Sequence, residues 1–324
     1  MKVNSAVEAL SILNDGDVIW CQSMAATPYK LLEGLKEIAA QRKDLTLLQL
    51  HTEYSEILCD PELKGHLRQR AFFVGASTRQ AVNQGLADYV PIFLSEIPKL
   101  FRSGEQPLDA AIIQVSPPDK HGNCSLGISV EATRAALQVA KKVVAWINPN
   151  MPRTHGDALV SLKRFDRFYE EAAPIPLHNQ PPQNPVTQKI GERVAGLIND
   201  GDCLQMGIGA IPDATLACLH HHKDLGIHTE MFSDGVLPLV ERGVINNSRK
   251  RKHRGRIVTT FAMGSQALYD FVDDNQEVFF LDVEYTNDTS VIRQNKQVMS
   301  INSALQVDLS GQVCADSIGT KIYS

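Results

Sequence analysis

The six cysteines, Cys21, Cys59, Cys124, Cys203, Cys218 and Cys314, include no close pair. That scatter lacks the short ladders of a structural zinc site. It favours reduced thiols in a cytoplasmic protein over a disulfide framework. A basic excess is missing too, since 37 Asp and Glu outnumber 32 Lys and Arg, for a net charge of −5. Sequence-independent nucleic-acid binding needs a net basic surface, so that class is set aside. No apolar run reaches the length of a membrane span. The opening stretch Met1–Glu8 has one basic residue and no long apolar core. It reads neither as a secretory signal nor as a transit peptide. Also absent are a P-loop, a His-Glu-X-X-His pair and a complete dinucleotide fingerprint.

What the chain does contain is a repeat. His228-Thr229-Glu230-Met231-Phe232-Ser233 echoes His51-Thr52-Glu53-Tyr54-Ser55. Asn14-Asp15-Gly16-Asp17 precedes the first copy and Asn199-Asp200-Gly201-Asp202 the second. Pro28 and Pro212 follow those turns at nearly equal distance. A matched series in one order reports tandem structural units. With 324 residues, 43% hydrophobic and 21% charged, the chain suits a soluble two-domain protein.

Each turn uses Gly for positive φ and Asn or Asp to cap its own backbone. Strands are expected at 18–21, 45–50, 71–75, 89–93, 110–115 and 143–147, with helices between them. Thr27 is expected as an N-cap with Pro28 at the first helical position. In the second half, helices are expected over 186–198 and 212–220, and strands at 203–205, 257–261, 278–281 and 298–304. Alternating strands and helices imply parallel sheets covered by helices. The fold class is therefore α/β, two tandem pseudo-symmetric open-sheet domains. The proline-dense stretch 174–185 is read as a linker between domains 1–173 and 186–324. Asp119–Gly122 pairs with Asp308–Gly311, and Ser125–Gly127 with Ser317–Gly319. By that symmetry the second half lacks a closing helix and strand.

The best chemical constellation is Gln205-Met206-Gly207-Ile208-Gly209 with Glu230. A strand leaving through Gly-X-Gly into a helix start exposes backbone N–H groups that bind negative charge. Beside a carboxylate nucleophile those donors can hold an oxyanion on an attacked carbonyl. Gln205 can add an amide. Glu53 occupies the matching position in the first half, but Ala25 and Ala26 stand there where the second copy has glycines. Chemistry is assigned to Glu230, and Glu53 is read as a supporting polar group. The basic run Arg249–Arg256 is a solvated loop or, through Arg256, a phosphate attractor. His220-His221-His222 is read as an exposed helix C-terminus rather than a metal site. Asp282, Glu284 and Asp288 are read as strand-end acids rather than Mg²⁺ ligands.

Together these stretches resemble the acetyl-CoA hydrolase/transferase family, with the nearest likeness to its 4-hydroxybutyrate and butyrate:acetate CoA-transferases. Pro117-Pro118-Asp119, Phe261-Ala262-Met263-Gly264 and Ile301–Asp308 add to the likeness, which runs over essentially the whole chain. The resemblance implies two pseudo-twofold α/β halves and commonly a homodimer. Acyl-CoA and a small carboxylate are the implied substrates, with no metal and no permanently bound cofactor. It makes Glu230 the nucleophile of a ping-pong exchange through a glutamyl-CoA thioester. It matches Gln205, Gly207 and Gly209 to the oxyanion segment, with Ile208 between the glycines. Family chains continue past Ser324 into a Gly-Gly-rich loop, so the C-terminal part is expected to be missing here. An acyl-CoA hydrolase and a shortened, non-catalytic CoA- or sugar-phosphate-binding protein are the alternatives.

Overall fold

The computed structural model describes residues 1–179 and 182–323. In chain order the first half contains α1 (Ala6–Leu10), β1 (Val18–Cys21), α2 (Tyr29–Ala39), β2 (Leu45–Gln49) and β3 (Leu67–Ala71). It continues with α3 (Ala76–Asn83), β4 (Asp88–Tyr89), α4 (Ile97–Arg102), β5 (Ala110–Val115), β6 (Asn123–Ser125) and α5 (Thr133–Val139). β7 (Lys142–Ile147), β8 (His155–Gly156), β9 (Leu159–Ser161) and β10 (Arg167–Glu170) follow. Seven strands form one parallel sheet in the order β10-β7-β5-β1-β2-β3-β4. Every residue of β5 is buried, as expected of a strand covered on both faces. One face packs Leu10, Leu31 and Leu35 of α1 and α2 against Ile19, Leu47 and Trp146. The other packs Trp20, Phe101 and Ala136 and continues into the core of the second half.

The second half contains α6 (Pro185–Ala195), β11 (Cys203–Met206), α7 (Ala210–Ala217), β12 (Gly226–Ile227), β13 (Met231–Phe232) and α8 (Leu237–Glu241). Then come β14 (Ile257–Thr259), β15 (Phe261–Ala262), α9 (Gln266–Val272), β16 (Val278–Phe280), α10 (Val283–Thr286), α11 (Thr289–Ile292) and β17 (Val298–Ile301). The ladder β17-β11-β12 meets β14-β16-β8 through a parallel bridge between His228 and Val258. Strand order therefore repeats: β5-β1-β2-β3-β4 in one half, β17-β11-β12-β14-β16 in the other. The turns repeat atom for atom. Asn14 N–H donates to Asp17 Oδ2 at 2.8 Å, and Asn199 N–H to Asp202 Oδ2 at 2.8 Å. Lys43 and Lys223 N–H donate to Asp15 and Asp200 at 3.0 and 2.8 Å. The Asp119 and Asp308 turns match too: their Oδ1 atoms accept from Asn123 N–H and Gln312 N–H, each at 2.9 Å.

Four expectations change. Thr27 does not cap α2. Its Oγ1 donates to Met24 O at 2.7 Å and accepts Glu53 N–H at 3.0 Å, so it ties two loops together, and α2 begins after Pro28. The third strand is Leu67–Ala71, in which alternate residues are buried, and not 71–75. The fourth stops at Tyr89, before Pro91, which has no N–H for a ladder. The halves also interleave, because β8 belongs by sequence to the first half and pairs with β16 of the second. Of the expected linker, the described residues before α6 carry no helix or strand, while Gln180 and Pro181 lie outside the described residues. The C-terminal stretch ends against α3, where Arg79 Nε donates to Tyr323 O at 2.6 Å and the guanidinium lies over the Tyr323 ring at 4.3 Å.

Candidate active site

β11 ends at Met206 and the chain turns through Gly207-Ile208-Gly209 into α7. Gly207 N–H donates to Ile301 O at 2.8 Å. A Cβ on Gly207 would lie 2.8 Å from Asn302 Oδ1. Gly207 thus serves close strand approach, and its N–H is committed to β17 rather than offered to a ligand. Among the described residues, the N–H groups of Ile208 and Gly209 have no protein acceptor. Gln205 also works locally. It forms a reciprocal amide pair with Asn302, Nε2 to Oδ1 at 3.2 Å and Nδ2 to Oε1 at 3.0 Å, and its Oε1 also accepts from Ser300 Oγ.

Glu230 follows β12 and is fixed by its main chain. Its carbonyl accepts from Thr260 N–H at 3.0 Å, Phe261 N–H at 3.2 Å and Thr259 Oγ1 at 2.9 Å. Thr229 Oγ1 accepts from Met206 N–H and donates to Met206 O, both at 3.1 Å, which pins this loop to the end of β11. His228 is buried, and its Nε2 lies 2.8 Å from Thr286 O. A carbonyl only accepts, so Nε2 carries the proton. Burial pulls the imidazole down to about 4 despite that bond, so it is neutral at pH 7. The Glu230 carboxyl is pushed above its ordinary value by burial, opposed by one donor, Asn287 Nδ2 at 2.6 Å from Oε2.

A cavity of about 1220 Å³ between the halves joins Gln205, Gly207, Ile208 and Glu230 on one side with Met24, His51, Glu53 and Phe73 on the other. Glu53 has the opposite electrostatics from Glu230. Burial alone would raise its carboxyl, but His178 and His51 outweigh that and hold it at about 2. Their Nε2 atoms lie 3.2 and 3.4 Å from Glu53 Oε1. The two matched glutamates therefore differ in kind: one is a stabilised anion between histidines, the other a desolvated carboxylate with a single amide donor.

Arg256 is not brought to this cavity. Its guanidinium donates to Gln276 O and sits 4.4 Å from the Phe279 ring centroid. The basic run is not simply a solvated loop either. Lys250 is buried, with Nζ donating to Ile227 O at 2.6 Å and Arg256 O at 2.7 Å, and burial draws it down to about 8. His222 Nε2 lies 3.1 Å from Ile198 O. Asp282 and Glu284 both pair with Arg102. No cluster of potential metal ligands occurs among the described residues. Asn287, Asn302 and His178 were not foreseen from the sequence. None belongs to the repeated motif, and His178 lies in the non-periodic stretch.

No helix among the described residues is long and apolar enough to cross a membrane. The family model for the acetyl-CoA hydrolase/transferase N-terminal domain matches residues 1–179, and the model for its C-terminal domain matches residues 264–324. A succinyl-CoA:acetate/propanoyl-CoA:succinate CoA transferase of Fasciola hepatica is 45% identical over 98% of this chain and 66% of its own length. A 4-hydroxybutyrate coenzyme A transferase of Clostridium kluyveri is 52% identical over 81% of this chain and 61% of its own. This chain thus spans less than two thirds of either relative. The crystal structure of RipA from Yersinia pestis superposes with a TM-score of 0.93 at 32% identity, covering 98% of this chain and 76% of that one. A 4-hydroxybutyrate CoA-transferase from Porphyromonas gingivalis superposes with a TM-score of 0.86 at 35% identity, covering 96% and 75%.

Proposed function

Because the chain belongs to the acetyl-CoA hydrolase/transferase family, we propose that it moves CoA between a short-chain acyl-CoA and a free carboxylate, with Glu230 as covalent nucleophile. The observation that carries the reading is the desolvated Glu230 carboxylate in the same cavity as Ile208, whose N–H has no protein acceptor. A Glu230 oxygen attacks the thioester carbonyl, the C–S bond breaks, and an acyl-glutamyl anhydride and CoA thiolate result. The thiolate then attacks the Glu230 carbonyl and expels the acyl carboxylate, leaving a glutamyl-CoA thioester. An acceptor carboxylate reverses the sequence and restores Glu230. The N–H groups of Ile208 and Gly209 hold the tetrahedral oxyanions, and Gln205 holds the edge of that turn through Asn302. The scatter of the six cysteines, with no close pair, suits a reducing, cytoplasmic setting.

Borohydride added during turnover with butyryl-CoA should reduce the glutamyl thioester to an alcohol. Peptide mapping should place that mass change at Glu230, and a modification elsewhere would remove the assignment.

Acidification gives a second test. Only the ionised carboxylate attacks, and burial raises its pKa. Exchange should therefore fall with decreasing pH, with its midpoint above that of an ordinary glutamate. Asn287→Ala removes the donor that favours the anion, so the acid limb of kcat/KM should move to still higher pH. A limb that stays in place would show that Asn287 does not touch the reacting group in solution. Arg256→Ala should leave exchange unchanged and cost about 0.5–1 kcal/mol of stability for the ring contact. A raised KM for acyl-CoA would return Arg256 to the site.

Hydrolysis is the second reading, with water taking the place of the acceptor carboxylate at the same glutamyl intermediate. Release of CoA without an acceptor, at the rate seen with acetate, would mark a hydrolase.

A further inference from the structure

α10 is a single turn, too short to hold a helix by its own hydrogen bonds. It nevertheless carries two contacts of the site. Thr286 O accepts from His228 at 2.8 Å, and Asn287, the next residue, donates to Glu230 at 2.6 Å. Its anchors come from the other half of the chain. Arg102, the last residue of α4, donates through Nη2 to Asp282 and through Nη1 to Glu284. The remaining Nε donates to Gln138 Oε1 at 2.9 Å, so the guanidinium is held from three sides. Asp282 in turn caps α10, its Oδ1 accepting Glu284 N–H at 2.9 Å, while its own N–H donates to Asp157 Oδ2 at 3.0 Å.

We propose that Arg102 is a positioning residue for the Glu230 chemistry: by clamping Asp282 and Glu284 across the junction of the halves, it keeps α10 where Asn287 meets the nucleophile. The inference rests on the reading of Glu230 as that nucleophile. Its physical basis is the state left behind when the guanidinium is removed. Two acids two residues apart then face one another without a counter-charge, and the Asp282 side chain is only 10% exposed. An unpaired buried charge is strongly unfavourable. The short turn relieves it by moving toward water, and Asn287 moves with it. A shift of about 1 Å at a positioning group costs on the order of a hundredfold in rate.

The test is a double-mutant cycle on single-turnover modification of Glu230 by butyryl-CoA, trapped with borohydride. Arg102→Met should slow modification up to about a hundredfold while the KM for butyryl-CoA changes little. Arg102→Met combined with Asn287→Ala should be no slower than Asn287→Ala alone, because both remove one contact. Arg102→Lys, which restores the charge, should recover part of the rate. Additive losses in the double variant, or an unchanged rate in Arg102→Met, would overturn the proposal. Should Arg102→Met fail to fold, Arg102→Gln removes the counter-charge from Asp282 and Glu284 while keeping a donor and most of the side chain. It must show the same loss and the same non-additivity with Asn287→Ala, and wild-type rates there would equally overturn it. Exchange persisting in Glu230→Gln is a separate result, which removes the nucleophile assignment and not the clamp.

Discussion

Glu230→Gln should reduce CoA exchange by at least about 10⁴-fold, the scale on which removal of a covalent nucleophile acts. Glutamine keeps the size of the side chain and can still meet Asn287, so the variant should fold and bind acyl-CoA. Glu53→Gln is the decisive companion, because both glutamates follow a His-Thr pair and both line one cavity. A carboxylate attacks through the free energy of its anion. Glu53 is held at about 2 with two histidines against it, which lowers that free energy and its nucleophilicity. Glu230 has lost most of its water and has one amide donor in return. Glu53→Gln should therefore keep borohydride-trappable modification at Glu230, with altered KM for the acyl partner. Kinetics with peptide mapping on both variants separate the cases. Exchange lost in Glu53→Gln but kept in Glu230→Gln would transfer the chemistry to the first half.

The repeat was the most informative feature of the sequence. The Asn-Asp-Gly-Asp turns fold alike, with Asp17 and Asp202 each accepting the N–H three residues back, because such a turn is a local device written in four residues. Five-strand order follows from it, since each turn is followed by strand, helix and strand in one sense. Where the sequence misled, the deciding partner was distant. Arg256 reads as a phosphate ligand until the carbonyl of Gln276 and the ring of Phe279 meet it. Gly207 reads as an oxyanion donor until Ile301 O takes its N–H. β3 was misplaced because Arg68 and Arg70 dilute its hydrophobicity, although every second residue is buried. Asn287 left no trace, because what matters there is the placement of α10 by Arg102 and Asp157 from the first half. Local chemistry was legible, and contacts between halves were not.

The joint between the halves predicts the second large effect, on Gly156→Ala. Gly156 has φ +96°, and a Cβ there would lie 2.5 Å from Phe280 O and 3.1 Å from Phe280 N. Both obstacles are backbone, so no rotamer change relieves them. They also belong to the β8–β16 pairing that joins the halves, extended by Asp157 N–H to Phe280 O at 2.8 Å. Strain at positive φ and overpacking each cost about 1–3 kcal/mol, so a loss of roughly 2–6 kcal/mol is expected. At about 2–4 °C per kcal/mol, the unfolding midpoint should fall by at least about 4 °C. Gly104→Ala supplies the contrast. Gly104 has φ +81° and nothing within 4 Å of an added Cβ, so only the backbone term applies. The excess loss in Gly156→Ala therefore measures the collision. Exchange should suffer beyond the loss of folded protein, because Asp157 also accepts Asp282 N–H and so helps seat α10. Equal melting shifts in the two variants would mean that β8 can leave β16 at little cost. The joint would then rest on the continuous core and on the Arg102 contacts rather than on β8.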